Sequence, residues 1–330
     1  MTGVTITGWG RALPERVVTN QDITTLFDTS DEWIFERSGI RSRRAATGPF
    51  VDPQPPTDPP ENGLGTTGNL AVEAGRIALE RAGVDASAIS LVVLCTTTPD
   101  QLIPANSASV AAALGVGGGA MDVNAACAGF TYGLVTASGL VSVGAERVLL
   151  IGAETLSRAT NWEDRTNAFL FGDGAGAVVV EAVPGDGSLL GWDLGVDGNL
   201  VPLLYAQHGS GMVMRGKEVF RRAVLATVES AKASLERAKV GIEDIALFVP
   251  HQANIRIMEA AASRLGLPSD RIASVIETTG NTSSASIPLA LIDAIEQGRV
   301  RDGDLLLLAG FGAGMTWASA VWRWQGPTGR

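Results

Sequence analysis

Short runs of almost continuous apolar residues recur along this chain, with segments of mixed apolar and polar character between them. Ala88-Ile-Ser-Leu-Val-Val-Leu94, Ala177 to Val180, Ile245 to Val249, Leu305 to Leu308 and Met315 to Trp324 are the clearest. They are short and rich in aliphatic residues, which reads as strands of buried sheets. An Ala-, Leu- and Val-rich stretch from about Thr131 to Val143 reads as a helix, and the turn-rich Gly280 to Pro288 leads into another. Strands alternating with helices predict an α/β protein.

The pattern also repeats. Ala78-Leu-Glu-Arg-Ala-Gly-Val84 followed by Ala88 to Leu94 aligns with Ser234-Leu-Glu-Arg-Ala-Lys-Val240 followed by Asp244-Ile-Ala-Leu-Phe-Val-Pro250. Gly172-Asp-Gly-Ala-Gly176 before one strand echoes Gly310-Phe-Gly-Ala-Gly314 before another. So many identities in one register indicate duplication rather than chance likeness of amphipathic units. The turn cluster Val183-Pro-Gly-Asp-Gly187 marks the boundary, giving an N-terminal half over 1–183 and a C-terminal half over 184–330.

Composition narrows the class without naming a chemistry. With 45% hydrophobic and 18% charged residues, the chain is an ordinary globular protein with a large core. Two cysteines exclude a disulfide scaffold, and with two histidines they argue against a structural zinc site, so no metal is expected. No basic segment followed by an apolar core opens the chain, and no apolar run is long enough to span a bilayer. The expectation is a cytoplasmic protein. A formal charge of −10 argues against nucleic-acid binding, and an acidic partner would need a local basic patch.

Candidate chemistry is concentrated in three segments. Asp122-Val-Asn-Ala-Ala-Cys127-Ala-Gly-Phe130 sets a thiol among small residues between a strand signal and a helix, the shape of a strand-turn-helix elbow. There the helix N-terminus favours thiolate, the nucleophilic form. A buried inert thiol is the competing reading. His251 stands just beyond an apolar run in Val249-Pro-His-Gln-Ala-Asn254, and Asn281 lies in Gly280-Asn-Thr-Ser-Ser-Ala-Ser-Ile-Pro288. Taken singly, these two read as a structural histidine and a turn residue. Only His208, His251, Cys95 and Cys127 are available for a Cys/His mechanism, however. The glycine-rich loops lack the spacing of phosphate-binding loops and read as sites of close backbone approach.

Together these segments resemble the ketoacyl-ACP synthase III family of condensing enzymes in the thiolase superfamily. Thr29-Ser-Asp-Glu-Trp33-Ile, Arg37-Ser-Gly-Ile40, the Cys127 run, Leu170 to Gly176, Pro250 to Asn254, Gly280 to Pro288 and Gly310 to Trp317 follow the family's order across nearly the whole chain. The resemblance implies a thiolase-like fold, two βαβαβ-type halves packed as α-β-α-β-α layers. It implies that Cys127 takes an acyl group from acyl-CoA, and that His251 and Asn281 stabilise the enolate formed when malonyl-ACP loses carbon dioxide. Ala313 would offer an amide to the acyl carbonyl, and Phe311 would exclude water beside it. Trp33 and Arg165 match the pair that sandwiches the adenine of coenzyme A, with Arg37 and Asn254 as further contacts. Arg221, Arg256 and Arg264 match basic positions that receive the acyl carrier protein. A homodimer with no permanently bound cofactor is implied as well.

Three departures bear on the primer. Phe50 to Asn62 is a Pro- and Asp-rich insertion that reads as an extended or disordered surface loop. Asn199 to Gly211 is shorter than the family's loop over the acyl tunnel. Ile103 replaces an aromatic residue that reaches across the dimer and limits chain length, which leaves more room. Priming of fatty-acid or polyketide synthesis is the leading reading. The alternative is a starter-unit acyltransferase moving the group from Cys127 to a hydroxyl or amine, in which Asn281 would lose its main task. A thiolase would carry a second cysteine in Gly310 to Gly314, and a silent partner subunit would have lost one of the three polar residues.

Overall fold

The computed structural model describes residues 2–51, 66–207 and 209–326. Of the Phe50–Asn62 insertion only its first two residues are described, with Phe50 edge-on to Trp162 at 5.6 Å; the reading of the remainder, and His208, lie outside the described residues. The main elements run β1 (Thr2–Ala12), α1 (Asp31–Ser38), α2 (Thr66–Ala82), β2 (Leu91–Cys95), α3 (Asn106–Leu114), β3 (Gly119–Val123), α4 (Gly129–Ser142), β4 (Arg147–Thr155) and β5 (Asp173–Pro184). They continue with β6 (Leu189–Val196), α5 (Gly216–Ala238), β7 (Ile245–Pro250), α6 (Ile255–Leu265), α7 (Ser286–Glu296), β8 (Leu305–Gly312) and β9 (Thr316–Arg323).

Two sheets form. The first has the order β1-β5-β4-β2-β3 and the second β7-β8-β9-β6. In the first, β2 and β4 are parallel while β4–β5 and β5–β1 are antiparallel. In the second, β7 and β8 are parallel while β8–β9 and β9–β6 are antiparallel. Strands in the same chain order thus hold the same places, and β3 is the one added edge.

The continuous apolar runs are explained by burial on both faces. Along β4, Val148 and Leu150 face the central core while Leu149 and Ile151 face the outer helix α2. Along β8, Leu306 and Leu308 face the central core and Leu307 faces the opposite side. Helices α4 and α7 fill the middle layer through Phe130, Leu134, Ile287 and Leu291. This is the expected α-β-α-β-α layering.

The duplication extends to single contacts. A Cβ at Gly8 would lie 2.6 Å from the backbone nitrogen of Ala82, and one at Gly191 would lie 2.6 Å from that of Ala238. Ala82 and Ala238 are equivalent in the sequence repeat, so each half uses one glycine to bring a strand against its outer helix.

Candidate active site

The Cys127 elbow differs in detail from its expected form. The helix begins at Gly129 rather than Thr131, and Cys127 sits before it in a separate 3-10 turn, Ala126–Ala128. Ala126 takes a left-handed φ of 48°, with its N–H donated to Asn124 Oδ1 at 3.2 Å. The second glycine-rich loop packs directly on this turn. A Cβ at Gly312 would stand 2.5 Å from the Cys127 nitrogen, so the close-approach reading of that loop holds at the Cys127 turn itself.

Burial pushes the half-buried Cys127 thiol up to about 12; Ser283's hydroxyl pulls it back, while Glu154's charge adds to the rise. Burial thus acts against the helix-end preference for thiolate, while the face of Cys127 that opens onto a cavity lets solvent offset part of the penalty. Cys95 is fully buried at the end of β2, and burial raises its thiol further.

His251 follows β7 and its backbone N–H donates to Ala309 O at 2.8 Å. The buried Gln252 fixes the turn, donating to Pro250 O at 2.7 Å and Ala273 O at 3.2 Å and accepting from Val275 N–H at 3.0 Å. Burial drives the His251 imidazole down to about 3, so it is neutral and carries one N–H. Its Nδ1 is buried without a partner among the described residues.

Asn281 is held between Leu170 O and Gly172 N–H by its backbone, at 2.8 and 2.9 Å. Its Oδ1 accepts from Ser283 N–H at 2.9 Å. That bond fixes which end of the amide is oxygen and leaves the NH2 end as a donor.

Cys127, His251, Asn281, Phe311 and Ala313 all line one cavity of about 690 Å³. Leu204, Met212, Met214, Val219 and Phe220 form apolar walls, so the loop over Asn199–Gly211 and the residues after it contribute to the lining. A thiol, a neutral imidazole and an amide facing one apolar cavity can hold an acyl thioester and stabilise a developing oxyanion.

Arg37 and Asn254 line the cavity. Helix α1 places Trp33 and Arg37 one turn apart, capped by Ser30, whose hydroxyl accepts from Trp33 N–H. The Arg37 guanidinium lies 4.2 Å from the Trp33 ring centre and that of Arg165 5.9 Å, so the indole has two cationic neighbours. Asn254 is already engaged, capping α6 through Arg256 N–H and donating to Arg37 O at 2.7 Å. Arg221, Arg256 and Arg264 are exposed on α5 and α6, and the Arg256 guanidinium lies 5.9 Å from the ring centre of Phe220 on the cavity wall. Ile103 is 87% exposed beside Leu102 and does not line this chain's cavity.

Sequence reading missed Glu154 and Ser283. Glu154 is fully buried and accepts from Thr96, Thr97, Thr98 and Ser284. Ser283 lines the cavity with a left-handed φ of 46°. Ser283 sits inside the motif quoted for Asn281, whereas Glu154 lies in none of the motifs, and a positive φ at serine has no sequence signature.

Comparison with known proteins gives one consistent answer. The family profile "3-Oxoacyl-[acyl-carrier-protein (ACP)] synthase III" matches residues 121–198, and its C-terminal counterpart matches 235–324. The chain is 44% identical over 321 residues to the beta-ketoacyl-[acyl-carrier-protein] synthase III of Listeria monocytogenes serotype 1/2a, covering 97% of this chain and 98% of that protein. The crystal structure of 3-oxoacyl-[acyl-carrier-protein] synthase III from Aquifex aeolicus superposes with a TM-score of 0.90 at 40% identity, over 98% of this chain and 100% of that one. A priming beta-ketosynthase from the R1128 polyketide pathway superposes at 0.87 with 37% identity, over 98% and 97% of the two chains.

Proposed function

The chain belongs to the 3-oxoacyl-[acyl-carrier-protein] synthase III family, and from that premise we propose how its residues share the work of priming fatty-acid synthesis. It is a condensing acyltransferase. It joins a short acyl-CoA primer to malonyl-ACP by decarboxylative condensation. The observation that carries the assignment of residues is the convergence of Cys127, neutral His251 and the free amide end of Asn281 on one apolar cavity.

Cys127 Sγ attacks the acyl-CoA carbonyl, and coenzyme A leaves with the thiol's proton, so the sum is acyl-Cys127 plus free CoA. The backbone N–H groups of Cys127 and Ala313 serve the tetrahedral oxyanion. Malonyl-ACP then enters, its carboxylate departs as carbon dioxide, and the electron pair moves onto the thioester oxygen. His251 and Asn281 donate to that oxygen. Each such donor contributes about a hundred- to a thousandfold in rate. The enolate carbon attacks the acyl-Cys127 carbonyl, the carbon–sulfur bond breaks with Cys127 leaving as thiolate and regaining a proton from water, and 3-oxoacyl-ACP is released. Phe311, buried beside these groups, keeps water from the enolate.

Coenzyme A lies over Trp33 between Arg37 and Arg165, whose planar cations suit an adenine face. The acidic carrier docks on exposed Arg221, Arg256 and Arg264, a local basic face on a chain of formal charge −10. The protein works as a homodimer. Exposed Leu102 and Ile103, and the open edge of β3 with Gly119 and Ala120 at its surface, support that reading. Two free cysteines and no described helix able to cross a membrane accord with a cytoplasmic enzyme.

The test is to supply acyl-CoA primers of increasing length with malonyl-ACP and measure carbon dioxide against 3-oxoacyl-ACP. Equal amounts of both are expected, with short straight or branched primers preferred and longer ones tolerated. Acyl transfer to a hydroxyl or amine without carbon dioxide would overturn the reading in favour of a starter-unit acyltransferase.

A further inference from the structure

We propose that Ser283 is a further catalytic residue, a hydroxyl donor to Cys127 Sγ during acylation, held in place from below by Glu154. This rests on the assignment of Cys127 as the nucleophile. Three observations on geometry lead to it. Ser283 opens a 3-10 turn, Ser283–Ala285, that packs against the Ala126–Ala128 turn carrying the thiol. It lines the same cavity although its residue surface is only 3% exposed. Its backbone takes φ 46°, a left-handed conformation that is strained for a non-glycine residue and persists where its surroundings over-determine it.

Those surroundings are identifiable. Ser283 N–H donates to Asn281 Oδ1 at 2.9 Å, so the hydroxyl and the catalytic amide are set by one turn. The next residue is pinned: Ser284 donates its hydroxyl to Cys95 O at 2.7 Å and Glu154 Oε1 at 2.8 Å, and its N–H to Glu154 at 3.3 Å. Glu154 is in turn fixed by the threonines at 96–98. A carboxylate surrounded only by donors is a rigid anchor, and Glu154 is a positioning residue here.

The chemistry gives the donor a task. Burial disfavours charge on Cys127, and the charge felt at the sulfur is that of Glu154 on β4. His251, Asn281 and Ser283 face it as neutral groups, Gly310 to Gly314 brings no ionisable side chain, and Asp122 on β3 is bound to the N–H groups of Asn106 and Ser107. The Ser283 hydroxyl, on the turn packed against the Cys127 turn and lining the same cavity, is placed to act against the burial penalty and pulls the thiol down. Ser283 keeps its own proton throughout. The thiol proton leaves with coenzyme A.

Ser283→Ala tests this. Alkylation of Cys127 by iodoacetamide, followed across pH by peptide mass spectrometry, needs no substrate and so reports independently of the proposed reaction. Its midpoint should move to higher pH, and acylation by acyl-CoA should slow by about ten- to a hundredfold, the worth of one hydrogen bond to a charged group. Decarboxylation of malonyl-ACP by enzyme already acylated should stay within about twofold. Ser283→Gly, which accepts the left-handed backbone without strain, should behave alike if the alanine variant folds poorly. An unmoved alkylation midpoint in both variants, or equal losses in both half-reactions, would overturn the assignment.

Discussion

The same backbone device occurs twice in this molecule, and only one copy carries the thiol. In the N-terminal half a residue with φ 48°, Ala126, opens a 3-10 turn that runs into α4; in the C-terminal half a residue with φ 46°, Ser283, opens one that runs into α7. Cys127 and Ser284 occupy the second place in their turns. The strand ends facing them differ. At the end of β4, Glu154 accepts from both Ser284 groups and closes that elbow with buried hydrogen bonds. At the end of β8, Gly312 has no side chain and lies against the Cys127 backbone. One elbow is filled and becomes support; the other is left open and becomes the reaction site. The Cys127 elbow is thus the one of the pair in which the position facing the second turn residue carries no side chain.

The largest effects should come from exchanging the two elbows. Cys127→Ser should abolish acyl-enzyme formation, a loss of at least about a thousandfold. Adding Ser284→Cys should not restore it, because that position is buried against Glu154. Intact mass after exposure to acyl-CoA decides both. Acylation of a cysteine at position 284 would break the comparison.

Next in size are the donors. His251→Ala and Asn281→Ala should each slow malonyl decarboxylation by about a hundred- to a thousandfold while leaving Cys127 acylation much less changed. Measured half-reactions that fall together would make His251 the base for the thiol instead. Because burial holds the imidazole neutral, with its pKa lowered from 6.5 to about 3, the protonated form is absent above pH 5. Decarboxylation should therefore stay flat from pH 8 to about 5, and a limb near 6.5 that disappears in the alanine variant would contradict this.

Filling the open elbow should cost less. Gly312→Ala places a methyl 2.5 Å from the Cys127 nitrogen. Overpacking of this kind costs typically about 1–3 kcal/mol, visible as a lower melting temperature with slower acylation. The smallest effect is at the carrier face. Reversing the charge of Arg221, Arg256 or Arg264 should raise the KM for malonyl-ACP severalfold, flatten its salt dependence and leave kcat unchanged.

Much of this was legible in the sequence, and what was not has a physical cause. The strands are readable because runs such as Leu305 to Leu308 are buried on both faces, and Leu-Glu-Arg-Ala recurs where each outer helix meets its strand. Cys127, His251 and Asn281 stood out as scarce or oddly placed polar residues. Glu154 did not, since a carboxylate at the end of an apolar strand shows its donors only after Thr96–Thr98 and Ser284 have been brought together from distant positions. The burial that acts on Cys127 is hidden from the sequence for the same reason. A helix start is visible in sequence, but the protein packed around the sulfur is not.

The most direct measurement is peptide mapping of the enzyme after brief exposure to a labelled acyl-CoA. The account predicts label on the peptide containing Cys127 alone, lost again when malonyl-ACP is added and recovered as 3-oxoacyl-ACP. Label on Cys95, or an acyl-Cys127 that malonyl-ACP does not discharge, would contradict it.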